Sequence, residues 1–237
     1  MDLDILYEDN HLIAVNKPAG LLSQKDGSGE DSVLEHVKAY LKKKYAKPGN
    51  VFLGTVHRLD RPVSGALVMA RTSKAAARLF EQFKGRSVTK VYLALVACGE
   101  ERALPEEWTT LRQRVKREGD VTRVTESASE SQDAELAYRC ASRACGYALL
   151  LVRLVTGRKH QIRAQLASIG MPVTGDGKYG SPERNADGSI CLHSLFLGFS
   201  HPTRAALVEV LAEVPPVFSA RFGANVSAKE LAEKIRG

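Results

Sequence analysis

His57-Arg58-Leu59-Asp60-Arg61-Pro62-Val63-Ser64-Gly65 sets one carboxylate between two arginines, and the apolar run Gly65-Ala66-Leu67-Val68-Met69-Ala70 follows at once. Proline and glycine this close to a carboxylate make a tight, fixed loop. Six apolar residues bounded by loop chemistry read as a strand buried on both faces. After it, Thr72 or Ser73 caps a helix whose apolar face is Ala76, Leu79, Phe80 and Phe83. By residue type alone, the Asp60 segment fits a structural loop ion pair as well as it fits a functional carboxylate.

Working outward, Ile5 to Tyr7 and Leu12 to Val15 read as strands joined by the turn residues Glu8-Asp9-Asn10, and Lys17-Pro18-Ala19-Gly20 breaks the pattern. Ser32 starts a helix, with Glu35 completing a capping box and Val33, Leu34, Val37, Tyr40 and Leu41 on its apolar face. Lys42-Lys43-Lys44 suits the negative end of that helix dipole. Val91 to Val96 is a further strand, and Leu136 to Ala141 with Tyr147 to Val155 flank a Cys145-Gly146 turn as a hairpin. A short helix spans His160 to Ser168, Leu192 to Phe199 and Leu207 to Leu211 are strands, and Ser227 to Ile235 is a terminal helix. Strands outnumber helices and several neighbours are hairpin-linked. The predicted class is therefore α+β with a mixed, mainly antiparallel sheet and flanking helices.

The 237 residues are 44% hydrophobic and 26% charged, which excludes disordered and collagen-like chains. No apolar run approaches the roughly 20 residues of a membrane span, and Met1-Asp2-Leu3-Asp4 lacks the basic start of a signal peptide. Cys98, Cys140, Cys145 and Cys191 contain no Cys-x-x-Cys pair, so free thiols in the cytoplasm are expected rather than a disulfide framework. The net charge of +7 is uneven. Residues 100–135 hold ten acids against six bases, which leaves the remainder strongly basic. A basic body favours a polyanionic partner. Without a Pro- or Ser-rich linker, residues 1–237 read as one domain, with the acidic stretch as an insertion or peripheral strands.

Gly175-Asp176-Gly177-Lys178-Tyr179-Gly180 spells G-x-G-x-x-G. It follows a helix rather than a strand, so no dinucleotide site is expected. Cys191, His193 and His201 lack a fourth ligand, and no zinc is expected. Thr156-Gly157-Arg158-Lys159-His160-Gln161-Ile162-Arg163 is different: it gathers four basic or titratable side chains at a helix start, where cations oppose the dipole unless an anion joins them.

With these residues assembled, the chain resembles the RluA-type pseudouridine synthases. His57 to Gly65 resembles their H-R-L-D-x-x-T-S-G loop, and Asn16-Lys17-Pro18-Ala19-Gly20-Leu21 their N-K-P-x-G segment. Lys90-Val91-Tyr92 resembles the strand that carries the family tyrosine. Gly157 to Arg163 with Gly175-Asp176 resembles G-R-x-H-Q-I-R…G-D, and Leu192-His193 the late L-H strand. The likeness spans residues 5–210. Val63 stands for the usual threonine, and Gln165 for a frequent histidine.

The resemblance implies a catalytic domain with a central RNA-binding cleft that isomerises uridine to pseudouridine in structured RNA (tRNA or large-subunit ribosomal RNA). No cofactor and no metal are implied. Asp60, Tyr92 and Arg163 are the implied catalytic residues: the carboxylate acts at the glycosidic bond, the arginine pairs with it in two-pronged fashion, and the tyrosine packs on the base and moves a proton. Leu192 is implied beneath the ring, and Arg58 in the gap left by the flipped nucleotide. Arg61, Arg158, Lys159 and His160 are expected to bind substrate. The small N-terminal RNA-binding domain of many relatives is not matched in these residues, and target recognition is expected to come from the catalytic domain. The protein is expected to be a monomer. Two other readings fit the same residues: a non-catalytic RNA-binding protein on this fold, and a hydrolase that uses Asp60 to release uracil.

Overall fold

A computed structural model describes residues 3–27, 29–99 and 101–236. Met1, Asp2 and Glu100, which enter the terminal and charge readings above, lie outside them. The strands are β1 (Ile5–Glu8), β2 (Leu12–Lys17), β3 (Gly54–Thr55), β4 (Ser64–Ala70), β5 (Thr89–Ala97), β6 (Thr109–Glu118), β7 (Val121–Thr125), β8 (Gln132–Ala144), β9 (Tyr147–Leu154), β10 (Leu192–Ser200) and β11 (Leu207–Leu211). The helices are α1 (Val33–Lys44), α2 (Ser73–Lys84), α3 (Gln161–Ser168), α4 (Pro216–Phe222) and α5 (Ala228–Arg236).

All the strands join one sheet in the order β1-β2-β4-β10-β5-β9-β8-β6-β7, with β11 beside β10 and β3 beside β4. Each pairing is antiparallel except β10 with β4, which is parallel. The expected α+β class with a mixed, mainly antiparallel sheet is therefore what the chain adopts.

Strand period 2 sorts the core onto the two faces of this sheet. Leu12 and Ala14 of β2 and Ala66, Val68 and Ala70 of β4 pack with Ala75 and Leu79 of α2. Ile13, Val15, Leu67 and Met69 face the other way, onto Val33, Val37 and Leu41 of α1. That double burial is why β4 reads as an unbroken apolar run, and all seven of its residues are buried.

Residues 100–135 supply β6, β7 and the start of β8, an exposed ribbon at the sheet edge. Its charges pair mostly across strands: Arg112 with Glu135, Arg114 with Asp133, and Lys116 with Glu130. Such pairs blunt an open edge.

Two local expectations fail. Ser32 is the N-cap of α1, but its side chain makes no capping bond. The Asp31 carboxylate already takes the Ser32 N–H at 2.8 Å, and Glu35 turns to Lys38 at 3.0 Å, so no capping box closes. In α2 the buried residues are Ala75 and Leu79, and Phe80 is 52% exposed. The apolar face is centred one position earlier, because α2 must present its small Ala75 to the sheet. Thr72 does cap α2, its hydroxyl accepting from the Ala75 N–H at 3.2 Å.

Gly65 sits where β4 meets β10 in parallel, with φ 116°. A Cβ there would lie 2.3 Å from the Ser194 carbonyl oxygen, in backbone that cannot yield. Gly65→Ala is expected to cost about 2–3 kcal/mol through backbone strain and overpacking, read as a lower urea midpoint. An unchanged midpoint would mean the two strands are free to separate at this register.

Candidate active site

The Asp60 loop lies between β3 and β4 and is tied down along its length. The His57 ring stacks on Phe83 at 4.7 Å, and its Nε2 accepts the Val68 N–H at 3.0 Å. Burial, and then the nearby Lys90 ammonium, push His57 down to about 3, so the ring is neutral and free to accept. The Ser23 hydroxyl donates to the Leu59 carbonyl at 2.7 Å and accepts the Leu59 N–H at 2.9 Å. The Arg61 carbonyl accepts from the Gly20 N–H at 2.8 Å and from the Lys17 ammonium at 3.3 Å.

Lys17 is fully buried and also donates to the carbonyls of Pro18 and Leu21. Burial drags it down to about 7, and the Asp60 charge pulls the other way. A buried cation bonded only to carbonyls therefore stands behind the carboxylate loop.

This frame leaves the Asp60 side chain 31% exposed, facing His160 and Arg163. Arg163 Nη1 and His160 Nε2 each lie 3.5 Å from Asp60 Oδ2. The two-pronged bond expected between Arg163 and Asp60 is not what forms. Arg163 gives both prongs to Asp176, Nε at 2.5 Å and Nη2 at 2.8 Å, and leaves only Nη1 toward Asp60. Asp176 is 1% exposed, and Arg163 also stacks over the Tyr179 ring with Cζ at 4.7 Å. Burial alone would lower Arg163; the bonds and charge of Asp176 outweigh it, and Arg163 is raised and fixed as a cation.

The glycine-rich stretch 175–180, silent as a nucleotide motif, thus delivers the arginine's main partner. The signal was the Gly175-Asp176 pair itself, quoted in the sequence without a role. His57, Lys17 and Tyr179 were likewise not marked as site residues, although all lie in quoted segments.

His160 opens α3 in the left-handed region at φ 54° and its Nδ1 sits 2.9 Å from the Tyr179 hydroxyl. Burial lowers it to about 4, against the pull of Asp60. The ring expected to meet substrate lies against the Asp60 carboxylate. Gln161 holds the turn before α3, its Oε1 accepting from the Thr156 hydroxyl and the Arg158 N–H. Gln165, which stands for the frequent histidine, donates to Gln113, Leu111 and Ala134. The departure therefore ties α3 to the β6–β8 ribbon.

Tyr92 is buried on β5, beside Ser194 of β10 in the strand register. Burial and the Asp60 charge push its hydroxyl well up, so it keeps its proton. Leu192 is buried at the start of β10, opposite Ala94. Arg58 and Lys159 are exposed. Arg61 is also exposed but already holds Glu30 at 2.8 Å and the Gly20 carbonyl, while Arg158 reaches the Asp133 carbonyl at 3.2 Å. His193 bonds Ser64 and the Ala212 carbonyl, His201 bonds Asp9, and among the described residues no three His, Cys, Asp or Glu side chains are grouped to hold a metal ion. Among those residues, too, no helix is long and apolar enough to cross a membrane.

Residues 11–168 match the family model for RNA pseudouridylate synthase. The chain is 36% identical to ribosomal large subunit pseudouridine synthase D of Xylella fastidiosa, across 90% of this chain and 66% of that protein. It is 31% identical to the synthase D of Xanthomonas campestris, across 98% and 73%, and 30% identical to synthase C of Escherichia coli K12, across 88% and 65%. The chain thus spans about two thirds of the length of these relatives. Human RNA pseudouridylate synthase domain containing 4 has the same fold, with a TM-score of 0.77 at 21% identity over 94% of both chains. The family match covers the Asp60 loop, Tyr92 and Arg163 in one stretch, and on these grounds the chain belongs to the RNA pseudouridylate synthase family.

Proposed function

We propose that this chain isomerises uridine to pseudouridine in large-subunit ribosomal RNA, with Asp60 as its catalytic carboxylate. One observation carries the assignment. Asp60 is a part-exposed carboxylate on a rigid loop, backed by the fixed Arg163 cation and flanked by a phenol that holds its proton. The reaction breaks the bond from uracil N1 to ribose C1′, turns the base, and joins C5 to C1′; C5 loses a proton and N1 gains one. Nothing enters or leaves overall, so a site with no oxidant and no second substrate is sufficient.

Asp60 acts at the glycosidic bond. Arg163 presents a fixed cation to the carboxylate where RNA excludes water. Tyr92 offers a ring face to the base and a neutral hydroxyl for proton transfer. Arg58, exposed on the same loop, is the side chain to fill the stack when the nucleotide leaves it.

Ribosomal RNA is favoured over tRNA by the names of the bacterial relatives. The same reading makes the chain one catalytic domain, acting as a monomer in the cytoplasm; its single continuous sheet supports the first point.

The test maps pseudouridine in a strain lacking the protein and chromatographs RNA treated with the purified enzyme. Loss of a ribosomal pseudouridine, restored in vitro without change of RNA mass, is expected. Loss confined to tRNA would move the substrate. Released uracil would make the protein a hydrolase, and bound but unmodified RNA would make it a binding protein.

A further inference from the structure

Lys90 is 8% exposed, yet no carboxylate, carbonyl or hydroxyl among the described residues bonds its ammonium. The stem is buried, but the ammonium is not one of the sealed side-chain atoms left without a bond, so it is a cation held at an opening to solvent with no ion pair among the described residues. Its charged neighbour is another cation, Arg86, and both burial and that charge lower Lys90. Its Nζ lies 3.9 Å from where a Cβ on the exposed Gly157 would stand, so it reaches the surface turn that carries Thr156 and Arg158.

Thr156 and Arg86 line the same open cleft of about 770 Å³, together with Arg112 and Arg114. Those two arginines hold Glu135 and Asp133, whereas Arg86 has no such bond among the described residues.

Arg86 is also in an expensive place. It follows the end of α2 with φ 59°. Its N–H reaches the Phe83 carbonyl and the Ser87 N–H reaches the Gln82 carbonyl, the pattern that normally puts glycine in the left-handed position. An arginine kept there, beside a lysine whose ammonium has no ion pair among the described residues, marks two cations gathered for an anion.

We propose that Lys90 and Arg86 receive a backbone phosphate of the RNA next to the nucleotide held by Tyr92. Lys90 and Tyr92 alternate on β5 and share one face, about 6.6 Å apart along the strand. That matches the reach from a uridine base to its own phosphate. The pair therefore sets how far the target strand enters the cleft. The assignment rests on reading the chain as an RNA-acting enzyme.

The test compares wild type, Lys90→Gln and Arg86→Gly on one ribosomal RNA fragment that the wild type modifies. Each variant is expected to bind about tenfold more weakly at moderate salt, as for one lost bond to a charged group. Each should also lower the slope of log affinity against log salt by about 0.7–0.9, one phosphate's worth. In the free protein, Lys90→Met is expected to leave the melting temperature equal or higher, because the ammonium bonds no protein group among the described residues, and Arg86→Gly to do the same. If the wild type makes pseudouridine while both variants keep its salt slope, the phosphate site is wrong and the enzyme reading stands. If Lys90→Met melts well below wild type, the lysine has a structural partner and the proposal falls. If the wild type neither binds nor modifies RNA, the enzyme reading falls and the phosphate site with it.

Discussion

Asp60→Asn is expected to lower uridine turnover about ten-thousandfold or more, the scale seen when a reacting carboxylate or nucleophile is removed, while RNA affinity changes by less than about threefold. The substitution keeps the shape, removes the charge and turns one acceptor oxygen into a donor. Affinity rests on lysines and arginines meeting phosphates, and these are spread over a basic chain of net charge +7. Folding should be nearly untouched. The loop is held by Ser23, Gly20, Lys17 and the His57 ring rather than by the Asp60 side chain. Arg163 also keeps its two bonds to Asp176 when Asp60 loses its charge. Pseudouridine counted after complete digestion, beside a filter-binding isotherm on the same RNA, gives both numbers. Turnover within tenfold of wild type would remove Asp60 from the chemistry. A parallel collapse of affinity would instead make it a binding residue.

The strands around this loop were legible because burial imposes a simple pattern. β2, β4, β5, β9 and β10 are apolar runs of the right length, and the Cys145-Gly146 turn announces the β8–β9 hairpin through two left-handed residues. The ribbon β6–β7 was harder to read. Its outward faces are charged and carry exposed ion pairs, which leave no hydrophobic period. α4 was missed because it is seven residues long and begins at Pro216, which reads first as a breaker.

In the site, individual residues were legible through the family pattern, but their partners were not. Arg163 and Asp60 lie far apart in sequence, as do Lys17 and Asp60, and only the packed sheet sets which carboxylate the arginine grips. The resemblance pointed to Asp60; the buried geometry gives both prongs to Asp176. A partner swap of this kind does not change residue type, so composition does not reveal it; the Gly175-Asp176 pair marks the partner without saying which arginine it holds.

That swap decides what losing Arg163 does. Arg163 is 5% exposed and Asp176 is 1% exposed, with bonds of 2.5 and 2.8 Å between them. Arg163→Ala would strand the Asp176 charge in a dry pocket, and breaking a buried pair from one side costs roughly 3–5 kcal/mol. Arg163→Lys should recover little, since an ammonium cannot span both carboxylate oxygens. Removing both partners is a different matter. In Arg163→Met with Asp176→Leu, no buried charge is left alone, and such apolar replacements are often neutral or stabilising. The double variant is therefore expected to unfold within about 1 kcal/mol of wild type, and yet to make no pseudouridine, because the cation 3.5 Å from Asp60 has gone with it. A second cycle pairs Arg163→Ala with Asp60→Ala. Asp60 is part-exposed and meets only Nη1, so the stability losses there should add to within about 0.5 kcal/mol. Denaturant unfolding of both cycles, with turnover measured on each member, separates the two roles of the arginine. Strong coupling to Asp60 with none to Asp176 would reverse the assignment of partners. An active Met–Leu double variant would show that the carboxylate works without a cation, and that Arg163 serves the fold alone.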